Sequence, residues 1–131
     1  MAGARAWVRA RERPASGIVA INCDGIDDRG ATTSMHSGRR PDALVDAVVA
    51  AGTRVGSAVR AHRLLPGVLT DGVALADAGW PVVTLSKGGL RTLARVHTPH
   101  DRADRLTGAG IAEVASVIVG LIESRRSNGG R

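Results

Sequence analysis

A chain of 131 residues has room for one domain of ordinary size and not for two. Hydrophobic residues make up 44%, which excludes a disordered chain, yet Phe and Tyr are absent and Trp7 and Trp80 are the only aromatics. The formal charge of +6 rests on arginine, since Lys87 is the only lysine.

These arginines are scattered, with local clusters only over 5–13 and 125–131, and no aromatic residues stand among them to stack on bases. The charge therefore reads as solvated surface, with no nucleic acid partner expected. No stretch approaches the roughly 18 apolar residues of a membrane span, so no membrane is expected either. Residues 1–14 carry charge throughout and lack the apolar run of a signal peptide, which makes the cytoplasm the default compartment. Cys23 is a lone cysteine, so an intramolecular disulfide is impossible, and its aliphatic neighbours predict a small buried thiol.

In chain order, residues 3–12 suit a short basic helix with a weak apolar face at Trp7 and Val8, closed by Pro14 and Gly17. Residues 18–23 form a short β-branched run that predicts a buried strand ending at Asp24. Residues 25–40, rich in Gly, Asp, Ser and Arg, read as a long loop. A helix is predicted over 41–55, where Leu44, Val45, Val48, Val49 and Val55 recur at helical spacing, Pro41 fits a first position and Asp42 favours the positive end. Weak alternation over 58–65 predicts a half-exposed strand near a sheet edge. Thr70 and Asp71 can open a short helix over 72–78 that Gly79 ends. Residues 80–86 form a second aliphatic strand with Pro81 at its start. A loop follows to Arg105. The last helix has a stripe of Ile111, Val114, Ala115, Ile118, Leu121 and Ile122 opposite Glu113, Ser116 and Glu123. Residues 127–131 are expected to be a disordered tail.

Strands alternating with helices argue an α/β fold, a three-layer α/β/α sandwich with a mostly parallel or mixed sheet. Three strands make a thin sheet, so residues 1–131 read as a single partial domain whose remaining strands lie elsewhere.

Two places could carry chemistry. Asp24 stands just past a buried strand, where α/β folds place ligand-binding groups. His97-Thr98-Pro99-His100-Asp101 stands in the loop after the second buried strand and offers imidazole and carboxylate together. Each has a plainer reading as a turn.

Taken together and in order, these segments resemble the di-zinc aminopeptidases, family twenty-eight of the metallopeptidases (MH clan). Ile18 to Asp24 looks like the strand that ends in a metal-binding Asp. Residues 69–85 are similar to the family's Ser-Asp-His, Phe, Gly-Ile-Pro segment, and His97 to Asp101 to its Tyr-His-Thr-Pro-x-Asp motif. The resemblance covers about residues 3–123 and implies the C-terminal half of a catalytic domain of the phosphorylase/hydrolase-like type. It implies two zinc ions, with Asp24 a ligand of one and His97 of the other. Asp101 would support the His97 loop, and Asp71 would be a structural group behind the ligands.

The family's first His, bridging Asp and adjacent Glu-Glu pair come earlier, and this chain is expected to begin just after them. The chain holds only Glu12, Glu113 and Glu123, none adjacent to another, so no catalytic base is assigned. Val96 stands in the place of the family's Tyr, Gly72 of its His, Leu75 of its Phe and Asp27 of a Gly. The resemblance thus implies a metal-dependent exopeptidase fragment, inactive alone, whose partners are a complementary N-terminal half and, in the intact protein, a peptide substrate. The alternative is a non-catalytic peptidase-like module used for interaction or structure. A self-contained metal site from Asp24, His97, His100 and Asp101 is a weaker reading, because Pro99 opposes a helix presenting both histidines on one face.

Overall fold

The computed structural model describes residues 2–11 and 16–129. Its elements are α1 (Ala2–Arg9), β1 (Ala20–Ile26), β2 (Ala31–His36), α2 (Asp42–Arg54), β3 (Val59–Arg63), α3 (Asp71–Asp77), β4 (Val82–Gly88), α4 (Leu90–Leu93), a 3-10 turn (Ala103–Arg105) and α5 (Ala109–Gly129). The expected end of the first helix at residue 12 and the role of Pro14 lie outside the described residues. So do residues 130 and 131 of the expected tail; α5 itself is helical through Gly129.

The sheet has four strands in the order β1-β4-β2-β3. β1 is parallel to β4, β2 is parallel to β3, and β2 runs antiparallel to β4. The sheet is mixed and open, with helices on both faces. Val83 and Leu85 of β4 face a core built from Leu44, Val45, Val48 and Ala51 of α2 and Val114, Val117 and Leu121 of α5. Alternate residues point the other way: Thr84 meets Thr70 and Gly72 at the start of α3. Outside α3 lies α1, where Trp7 and Trp80 bring their ring centroids to 5.7 Å.

β2 corrects the expectation of a long loop over 25–40. Its segment Ala-Thr-Thr-Ser-Met-His lacks the large aliphatic residues that mark a strand. Burial still alternates, but hydroxyl residues carry it: Thr32 is 2% exposed and Ser34 0%. Pairing on both sides, to β4 and β3, holds the strand where propensity alone is silent. The edge position expected for 58–65 is that of β3, of which only Val59 is buried.

α5 also departs from its expected face. Val114, Val117 and Leu121 are buried, while Ile111, Val119 and Ile122 are 55%, 52% and 46% exposed. The helix is apolar over more than one face, so periodicity by itself does not select the inner one. α2 and the sheet select it by flanking Gly120, whose missing side chain lets Val55 and Ala51 approach, and Val117. Leu121 is 2% exposed in this core, and Leu121→Ala is expected to cost about 2–5 kcal/mol in chemical denaturation.

Candidate functional site

Because β1 and β4 are parallel, the chain leaves both strands at the same end of the sheet, and the two segments singled out by sequence open there. Asp24 lies within β1, where the register against β4 slips by one residue between Cys23 and Ile26. Gly25, with φ of +62°, makes the slip, and its carbonyl accepts a hydrogen bond from Ser86 Oγ at 3.0 Å. Such a bulge re-aims a side chain at the end of a strand. Cys23, Asp24 and Gly25 are all exposed. The buried thiol expected at Cys23 is therefore corrected: β1 is an edge strand and nothing in the described residues covers this stretch of it, although partial desolvation still raises the thiol pKa.

His97 is exposed and is the one described non-glycine residue with positive φ, +64°. A left-handed imidazole residue is held there by local bonds. Thr98 donates its hydroxyl to Arg95 O at 2.7 Å, Asp101 donates its N–H to Thr98 O at 3.0 Å, and His97 donates its N–H to Asp101 Oδ2 at 3.2 Å. His100 is exposed and donates its N–H to Thr98 Oγ1 at 3.2 Å.

Asp71 opens α3, next to Gly72, which packs over Thr84 and Asn22 of the neighbouring strands. A Cβ at Gly72 would lie 2.4 Å from Thr84 Oγ1. A larger side chain there would displace the hydrogen bonds that link Asn22, Thr84 and Thr70.

The chain matches Peptidase family M28 over residues 1–122. It belongs to that family. No curated protein and no solved structure gives a significant match. Membership in a peptidase family makes the function peptidase-like in kind, and it brings the question of metal to these two loops.

Among its described residues, the donor set of this M28 chain does not make a metal site by itself. A catalytic zinc takes three protein ligands and keeps one position for water. Among the described residues no group of three or more His, Cys, Asp or Glu side chains is placed to hold an ion. A cleft of about 670 Å³ lies at the other end of the sheet, between Gly17–Val19, the start of α2 and Trp80, and is lined by neither Asp24 nor His97.

Three acidic residues that the sequence left without a role organise the end of the fold where β1 and β4 finish. Glu113, expected on the polar face of the last helix, turns inward instead. Its Oε1 accepts from Thr32 Oγ1 at 2.6 Å and Ser57 Oγ at 2.7 Å, and its Oε2 lies 3.0 Å from Lys87 Nζ. Thr32, then Ser57 and Lys87, hold its pKa down at about 2. Lys87 also donates to Gly30 O at 2.9 Å, which ties the loop after β1 to the end of β4.

Asp27 Oδ2 accepts from Thr92 Oγ1 at 2.9 Å and from the Arg95 guanidinium, and the Thr92 bond does most to lower its pKa. Asp28 accepts from the Thr107 N–H, from Thr107 Oγ1 at 2.8 Å and from Gly110 N at 3.0 Å, which caps α5; the Gly110 bond is the largest cause of its lowered pKa. In the sequence this pair stood in a Gly- and Asp-rich stretch that reads as turn formers, and only the partners, 65 or more residues away, reveal it.

Proposed function

We propose that this chain carries part of a metal-dependent exopeptidase site and does not hydrolyse peptides unaided. Asp24 and His97 would each give one ligand to a pair of zinc ions, with Asp101 steadying the His97 turn and Asp71 behind the ligands. The remaining ligands and the base would come from a complementary N-terminal half, in the same polypeptide or another. The observation that carries this reading is the shared end of the sheet: parallel β1 and β4 open Asp24 and His97 on one side of the fold.

The state of Glu113 supports the inactive part of the proposal. A general base must reach the nucleophilic water and exchange a proton with it. Glu113 has both oxygens committed to Thr32, Ser57 and Lys87 and stays ionised far below neutral pH. It is an anchor. β1, an edge strand among the described residues, and the exposed Ile111, Val119 and Ile122 of α5 are surfaces that a complementary half would cover.

A second reading is a non-catalytic peptidase-like module. Gly72 favours it, because a histidine cannot be restored there without displacing Thr84.

Calorimetric zinc titration of the purified chain tests the first reading. The expected result is weak binding that His97→Ala abolishes. Two tightly bound ions per chain would overturn it, since that result requires a complete set of ligands within these residues. Binding that His97→Ala leaves intact would remove His97 from the proposed pair.

A further inference from the structure

The segment from Gly89 to Ala109, which carries His97, contains no buried residue. Leu90 and Leu93 of α4 are 84% and 54% exposed. Apolar burial therefore gives this segment almost no hold on the sheet, and its hydrogen bonds within 95–101 fix its internal shape without fixing its place. What ties it down are two adjacent carboxylates of the loop after β1. Asp27 takes the near end, at Thr92 and Arg95, and Asp28 takes the far end, at Thr107 and Gly110.

We propose that Asp27 and Asp28 are positioning residues, which staple both ends of the His97-bearing segment to the loop that follows Asp24 and so set the two candidate ligand loops relative to each other. The geometry has a directional logic. Thr92 Oγ1 accepts from Gly89 N at 3.3 Å while donating to Asp27, so one hydroxyl links the first residue of the segment to the carboxylate. Arg95 joins the same carboxylate oxygen two residues before His97. The Asp27 side chain is 12% exposed and that of Arg95 36%, so this pair is less screened than one in open water. Gly110 closes the far end by close approach, since a Cβ there would lie 2.0 Å from Asp27 O.

This deepens the proposed function, because the segment held is the one that presents His97, but it needs no metal to be tested. Backbone NMR order parameters of the metal-free chain give the readout. Residues 91–101 are expected near the rigid value of about 0.85 in the native chain and below about 0.6 in Asp27→Ala, while β4 and the middle of α5 stay rigid. Arg95→Ala should loosen the same residues, and the double variant should loosen them no further. Asp27→Asn can present one oxygen to both donors and should restore most of the rigidity.

The proposal is overturned if residues 91–101 keep their order in Asp27→Ala, if the two single variants add independently, or if Asn fails to restore order. Equal loosening of β4 and α5 would also overturn it, as that marks a general loss of stability. Should Asp27→Ala fail to fold, Arg95→Ala carries the same comparison from a side chain that is only half-buried. A chain that shows these effects yet binds two zinc ions tightly would leave the staple standing and sink only the reading of an incomplete site.

Discussion

Glu113→Ala lowers the stability of the folded chain by about 2–3 kcal/mol, read as a fall in the urea midpoint at neutral pH. The substitution removes the counter-charge of Lys87, whose side chain is 10% exposed, and leaves the hydroxyls of Thr32 and Ser57 without their acceptor. The figure is set below the usual range for breaking a buried pair because the Glu113 side chain is itself 36% exposed. The pH dependence has a definite sign. The carboxyl is held at about 2, below its ordinary 4.5, so the unfolded chain binds the additional proton in acid. The stabilisation is complete above about pH 4.5 and fades as the pH falls toward 2. Unfolding midpoints at pH 7 and pH 3 should therefore differ more in the native chain than in Glu113→Gln. Equal differences would mean the carboxylate contributes little.

Gly30→Ala is the second large effect, about 3 kcal/mol or more. Gly30 has φ of +107°, and a Cβ there would lie 2.4 Å from the backbone of Gly88. The chain leaves β1 at one edge, passes the end of β4 and enters β2 on its far side, so this turn must lie directly against the β4 terminus. No side-chain rotation relieves a collision between two backbones. Gly38→Ala makes the control: its φ is +64°, but nothing lies within 4 Å of the added carbon, so it isolates the conformational part of the cost. Similar losses at both positions in thermal unfolding would show that the close approach at Gly30 relaxes cheaply.

Much of the fold was legible in sequence wherever an aliphatic run marks burial. The strand at 80–86 and the helix at 41–55 carry runs that fit only buried positions, and both stand where expected, as β4 and α2. β2 was illegible because its buried face is Thr32 and Ser34, hydroxyl residues that also suit turns. α5 was legible as a helix but not in orientation, since its aliphatic residues cover more than one stripe.

The candidate site divides in the same way. Asp24 and the His97 turn were proposed from residue type and order, and the parallel pairing of β1 with β4 directs the chain beyond both strands to one end of the sheet. Asp27, Asp28 and Glu113 were not legible, because an acidic side chain in a loop or on a helix looks alike whether it meets water or a partner far along the chain. Sequence by itself determined the α/β class, the peptidase-family motifs and the lack of paired glutamates, all of which depend on residue type and local order. Tertiary structure alone decided the fourth strand, the inward face of α5 and the carboxylate staples. Each of those turns on which distant groups meet, and local pattern carries no record of that.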